Sequence, residues 1–297
     1  MISQTGRMPP ALWQTVLFVG SMLIVLFASK TAINAPAVLL AAGHLGHRAM
    51  PSEPPKLTID PYIRPELATT LQRLQPTMRA AAARHNRQSL SGMSNEEFAA
   101  TMAVVIYNEH NGWFEEIITP IRTITPLYNQ LQQRVNASVL GGDFSIWPVN
   151  LRPSVALEIL QATLPVPEPT RAISVPVHVT GSRIVLDRYH SQHELFAAIN
   201  AEISNEPMAI EYLAANLERG LYRAHYEGIA VNWRTLAAWH NQGIVTPEQI
   251  ATNPTARDYV RRASAYLPVA RRLFVTTTPA QVTPLGNPIQ RPPRTIS

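Results

Sequence analysis

Cysteine is absent from all 297 residues, which excludes disulfides, thiol nucleophiles and thiolate metal sites and leaves the redox compartment open. Charge is sparse: Asp, Glu, Lys and Arg make up 15% of the chain, and the cations are scattered rather than run together. That scatter argues against nucleic acid as a partner. The net charge of +5 points instead to another anionic neighbour, a phospholipid surface or an acidic polymer such as cell wall. Serine-nucleophile elbows and phosphate-binding glycine loops are also missing. His190-Ser191-Gln192-His193-Glu194 superficially suggests zinc but matches neither H-E-x-x-H nor H-x-x-E-H, so no metal and no cofactor is expected. What the chain does have is a hydrophobic fraction of 46%, ample for a buried core, and 26 prolines, which imply extended linkers beside it.

Residues 11–28, ALWQTVLFVGSMLIVLFA, carry no charge and read as membrane material near the lower length limit for a spanning helix. Arg7 before the run and Lys30 after it give almost no asymmetry to orient it, and a cleaved signal peptide competes with an uncleaved single-pass anchor. Either way the remainder is expected on the extracytoplasmic side. The expected organisation is an anchor or signal segment over 1–48, a proline-rich linker over 49–66, a mainly α-helical domain over 67–275 with an insertion near 163–204, and a disordered tail over 276–297. Helical stripes are read over 67–87, interrupted by Pro76, and over 113–125, 152–162, 207–226, 232–239 and 256–274. VPVHV and RIVL flank Thr180-Gly181-Ser182 as a β-hairpin would, with a helix over 191–203 after it.

The organising stretch is 94–112, SNEEFAATMAVVIYNEHNG. Ser94 with Glu97 forms a capping box and Met93 facing Phe98 a hydrophobic staple, so a helix starts here. Phe98, Met102 and Val105 recur at offsets of four and three, and the next position on that face is Glu109. A carboxyl group set against an apolar wall resists ionising, and an acid that stays protonated can protonate a leaving group. The competing reading is a solvated helix end, Asn108 to Asn111, capped by Gly112.

In this order the chain resembles the lysozyme-like superfamily of lytic transglycosylases and goose-type lysozymes, as a divergent member, over about 94–274. The family's helix ending in a catalytic Glu is matched by AVVIYN running into Glu109 and His110. Its Gly-Leu-Met-Gln turn and Pro-Ser-Thr-Ala block are similar to Trp147-Pro148-Val149-Asn150, then Leu151-Arg152, then Pro153-Ser154-Val155-Ala156. Asn150 thus falls on the family's substrate-binding Gln. A proline step before a helix with a Tyr-Leu pair is similar to Asn205-Glu206-Pro207 and Tyr212-Leu213. Leu236-Ala237-Ala238-Trp239-His240-Asn241-Gln242-Gly243 matches Leu-Ala-Ala-Tyr-Asn-Ala-Gly with one extra residue, and Tyr259-Val260 the Tyr-Val pair opening the last helix. Trp147-Pro148 and Trp239-His240 depart from the family pattern.

The resemblance implies a lysozyme-like fold and cleavage of the β-1,4 glycosidic bond in peptidoglycan glycan strands. Glu109 would act as acid and then base, Asn150 and Tyr259 would bind substrate, His240 and Asn241 would bind glycan or else cap their helix, and Trp147 and Trp239 are sugar-stacking faces or else core residues. A transglycosylase needs only one carboxylate, because the sugar's own 6-hydroxyl attacks. A hydrolase needs a second to activate water, and Asp143 is the candidate, with an Asx-turn as its structural alternative. A catalytically silent, membrane-tethered glycan-binding or scaffold module remains a different class of account.

Overall fold

The computed structural model describes residues 63–110, 143, 145–167 and 171–275, all within one unit that runs from Leu57 to Ser297. The expected membrane run at 11–28, the apolar face at 113–125, the Gly112 cap and the tail after 275 lie outside the described residues. The elements in order are α1 Pro65–His85, α2 Gln88–Ser91, α3 Asn95–Glu109, α4 Pro153–Leu160, β1 Thr163–Pro165, β2 Ala172–Ser174, α5 Gln192–Ile203, α6 Glu206–Tyr226, α7 Trp233–Gln242, α8 Pro247–Thr252 and α9 Pro254–Phe274. The described residues are therefore mainly α-helical with one two-stranded antiparallel sheet. None of these helices is long and apolar enough to cross a membrane.

Helix α3 is the centre. Ser94 accepts from the Glu97 amide as its N-cap, while the Glu97 carboxylate, instead of closing the capping box, takes Arg271 of α9 at 2.6 and 2.8 Å. Every residue from 98 to 108 is buried, so the helix is covered all round rather than along one stripe. Its neighbours are α9, α1, α7 and α6. Tyr107 stacks on Tyr266 of α9 with ring centroids 4.1 Å apart, which locks the two helices in register.

Two expectations change. Pro76 does not interrupt α1, which runs unbroken through it; the proline is exposed, so its missing N–H falls on the solvent side. No hairpin forms around Thr180-Gly181-Ser182. Gly181 does turn the chain with φ +86°, but Pro176 has no N–H to donate to a ladder. The Arg183 and Ile184 amides go instead to Glu202 (2.8 Å) and Ser182 (3.3 Å). The short sheet lies upstream, pairing Leu164 with Ile173. Glu202 of α5 also accepts from Ser182 Oγ and Tyr212 Oη, at 2.8 and 2.6 Å, and so ties the arm to α6.

Helices α1 and α6 meet through a buried ionic cluster. The His85 ring donates through Nδ1 to Glu218 (2.7 Å) and through Nε2 to Glu211 (2.9 Å). Arg84 pairs with Glu211 and Arg87 with Glu218. Burial alone would lower the His85 pKa, yet its two carboxylate partners raise it, and an imidazolium results. Burial likewise pushes Glu211 up, but His85 and Arg84 outweigh it and bring it to about 2.

Further along α6, Gly220 lets the Trp239 ring of α7 reach the helix backbone, for a Cβ there would stand 2.6 Å from the indole. Gly220→Ala is expected to destabilise the fold by roughly 1–3 kcal/mol, against the usual gain of alanine over glycine in a helix; urea unfolding measures it. The ionic cluster predicts a pH dependence. The His85 contribution is full below its unfolded pKa, about 6.5, and fades as pH rises through the raised folded value. The Glu211 contribution is full above its unfolded value, about 4.3, and fades as pH falls towards about 2. His85→Ala should therefore cost most, roughly 3 kcal/mol, between about pH 4.5 and 6.5, and less in alkali. Urea titrations across pH showing a flat cost would contradict the charged assignment.

Candidate active site

Glu109 is the last residue of α3, where backbone carbonyls have no partner within the helix. One amide group meets both needs there: Asn150 Nδ2 donates to the Glu109 carbonyl oxygen at 2.7 Å and to Oε2 at 3.0 Å. The other carboxylate oxygen, Oε1, accepts from the Tyr259 hydroxyl at 2.8 Å. Tyr259 stands near the start of α9 and is buried; burial first, then the Glu109 charge, raises its pKa well above the ordinary phenol value, so it remains a donor. Asn108, the residue before the acid, donates to the Tyr259 carbonyl at 2.9 Å and holds α9 at this distance. The Glu109 side chain is 14% exposed, nearly covered yet still open to solvent on one side.

Asn150 reaches the acid because of a tight turn. Ile146 and Leu151 pair as an isolated bridge, the Ile146 amide donating to the Leu151 carbonyl at 3.0 Å, and the Trp147–Pro148 peptide is cis. Asn150 adopts φ +47°, a left-handed conformation that asparagine tolerates better than residues with bulkier side chains. His240 of α7 supports the same turn: its Nε2 lies 3.0 Å from the Val149 carbonyl and 3.8 Å from Glu109 Oε1. Burial lowers the His240 pKa against the pull of Glu109, so the ring is neutral and donates through Nε2. Trp147 is held by its indole N–H, which donates to His110 Nδ1 at 2.7 Å. Burial brings His110 down to about 4, leaving a neutral ring free to accept there.

The structure thus gathers Glu109, Asn150, Tyr259 and His240, with half-buried Trp147 on the same turn. Three other candidates stand elsewhere. Trp239 is a correction: it is 5% exposed, its indole N–H donates to the Asn216 carbonyl at 2.8 Å, and the Arg219 and Arg223 cations lie over its ring at 5.9 and 5.8 Å. It faces inward with Leu236 on α7, so no sugar can stack on it. Asp143 makes a structural contact. Its two oxygens accept from the Ser154 amide and hydroxyl at 2.8 and 2.6 Å, anchoring the first turn of α4, where a negative charge suits the helix dipole. Asn241 accepts through its carbonyl and Oδ1 from the neighbouring Gln242 amide, at 2.9 Å each. The His190 to Glu194 stretch serves as the start of α5: Ser191 caps it, and Glu194 accepts from the His190 amide at 3.1 Å. Among the described residues no group of three or more His, Asp or Glu gathers as for a metal ion.

Sequence reasoning missed Asn216 and Arg219, which lie behind His240. No sequence signal marked them: at about 100° per residue both fall off the stripe of Ile210, Leu213, Leu217 and Leu221, on faces that periodicity leaves to solvent. Comparison with protein-family models, curated proteins and solved structures returns no match. Two substitutions separate the roles of Asn150. Asn150→Gly and Asn150→Ala both remove the amide, but only alanine carries the steric cost of the left-handed conformation. Alanine should unfold at lower urea, by roughly 1 kcal/mol, while both variants lose the hydrogen bonds to Glu109 alike.

Proposed function

We propose that residues 67–275 form a divergent lysozyme-like domain that cleaves the β-1,4 glycosidic bond of peptidoglycan as a lytic transglycosylase, with Glu109 as its single acid and base. The observation that carries this reading is the convergence on one carboxyl group of Asn150 and Tyr259, 41 and 150 residues away in the chain. A solvated helix end has no use for such a clamp. The order of the short motifs that resemble the family supports the same reading.

Oε1 is engaged by Tyr259, and Oε2 accepts from one amide N–H, so Oε2 keeps a lone pair for the travelling proton. Protonated Glu109 donates to the glycosidic oxygen as the C1–O bond breaks, and an oxocarbenium-like centre develops on the sugar. The carboxylate left behind is steadied by Tyr259 and Asn150. It then takes the proton of the sugar's 6-hydroxyl as that oxygen bonds to C1, which closes a 1,6-anhydro ring and restores the acid. No second carboxylate is needed, and the capping role of Asp143 favours this route over hydrolysis. His240 holds the Val149 carbonyl and hence the turn that bears Asn150; half-buried Trp147 offers its ring as the sugar-stacking wall beside the acid.

Residues 11–28 anchor the chain in a membrane with the catalytic domain on the extracytoplasmic side, where the substrate lies, and the net charge of +5 favours an anionic wall polymer. The test is release of soluble fragments from purified sacculi by the wild-type chain and by Glu109→Gln. Gln cannot donate a proton, so release should fall by at least about 100-fold with the fold and sacculus binding retained. Equal traces from both proteins would refute the enzyme; binding of sacculi without cleavage would leave a glycan-binding module.

A further inference from the structure

Asn216 on α6 contacts no carboxyl group of the site, yet it meets the His240 ring, which lies 3.8 Å from Glu109 Oε1. Its Oδ1 accepts from Arg219 Nη1 at 3.1 Å. Arginine only donates, so the amide cannot be turned round without facing one donor with another. Its Nδ2 therefore points at His240 Nδ1, 3.3 Å away. Nδ1 must accept, the ring proton must sit on Nε2, and Nε2 lies 3.0 Å from the Val149 carbonyl and 3.8 Å from Glu109 Oε1. The Arg219 end is fixed in turn: it is 1% exposed, with Nη2 on Glu158 at 2.6 Å and Nε on the Thr163 carbonyl at 2.9 Å. The Asn216 carbonyl receives the Trp239 indole at 2.8 Å, which holds α6 and α7 at this spacing.

We propose that Asn216 is a positioning residue: by presenting an N–H to Nδ1 it holds His240 in the neutral tautomer protonated at Nε2 and bars an imidazolium from forming beside Glu109. Two consequences follow for the chemistry, and these rest on the reading of Glu109 as the acid. A ring protonated only on Nδ1 would turn a lone pair towards both the Val149 carbonyl and the Glu109 carboxylate, and the turn that carries Asn150 would lose its tie to α7. A doubly protonated ring would place a cation near the carboxyl group and favour its charged form, withdrawing the proton the leaving group needs. Among the described residues, the charged and titratable groups around His240 are Glu109 on α3, Tyr259 on α9 through Glu109, and Arg219 on α6 with Glu158 on α4 through Asn216. Of these only Glu109 draws a proton to the ring, and Asn216 stands against it on the opposite nitrogen.

The test is nitrogen NMR of the full-length chain labelled with ¹⁵N-histidine, His240 being assigned by difference against His240→Gln. The wild-type ring should show a bare Nδ1 and a protonated Nε2 that do not titrate between about pH 5 and 8. An Nδ1-protonated ring, or an ordinary histidine titration in that range, would overturn the proposal. Asn216→Asp replaces the donor with an acceptor while keeping a partner for Arg219. It should convert His240 to the imidazolium and move the alkaline limb of the activity profile to lower pH; a ring still neutral and unchanged in tautomer would overturn it equally. The wild-type spectrum decides even should the variant not fold. A correct tautomer in a protein that releases nothing from sacculi would leave this inference standing and the proposed function wrong.

Discussion

A carboxylate at the C-terminal end of a helix sits where the helix dipole is already negative, and the surroundings of Glu109 are arranged around that conflict. The helix-end carbonyl and the side chain of the same residue share one donor, Asn150, and the second oxygen is taken by Tyr259. Neither donor is local in sequence. Each is brought in by packing, Tyr259 through the α3–α9 contact secured by Tyr107 on Tyr266 and by Asn108, and Asn150 through a turn that α7 supports with His240. The burial of α3 on every side is thus what makes the carboxyl group addressable from several helices at once.

The same logic runs outward along α6. Buried around it are Glu211, Asn216, Glu218, Arg219 and Arg223, a polar set that a hydrophobic stripe alone would not contain. Each has a partner: Glu211 and Glu218 meet His85 and its flanking arginines, and Arg219 meets Glu158, the Thr163 carbonyl and Asn216. Arg223 meets Glu227 and the Pro165 carbonyl. Buried charges so paired specify which neighbours α6 accepts, more than they add to net stability. They orient the helix that presents Asn216 to His240.

Most helices were legible because their signals are local. Ser94, Ser191 and Asn205 each cap the helix that follows, and Pro153 and Pro207 stand at first turns. The acid itself was legible as the break in an apolar period at Glu109. The failures share a cause, since each depended on where a side chain turns in three dimensions. Trp239 and His240 are adjacent in the motif, yet a helix sends consecutive residues about 100° apart, so one enters the core while the other faces the turn. Asp143 takes a structural role, as its turn alternative had it, but its partner is a helix start, Ser154, whose need for an anion is invisible to composition. The hairpin at 180–182 was inferred from alternation, which does not reveal that the Glu202 carboxylate and the Ser182 hydroxyl take the Arg183 and Ile184 amides.

The account stands or falls on whether one carboxyl group, without a second, breaks the sugar chain. The mass of muropeptides released from sacculi by the wild-type protein, digested in ¹⁸O-water, measures this directly. The account predicts 1,6-anhydro ends, lighter than reducing ends by one water and free of ¹⁸O. Reducing ends carrying ¹⁸O would show that water is the attacking group, contradicting the single-acid mechanism assigned to Glu109.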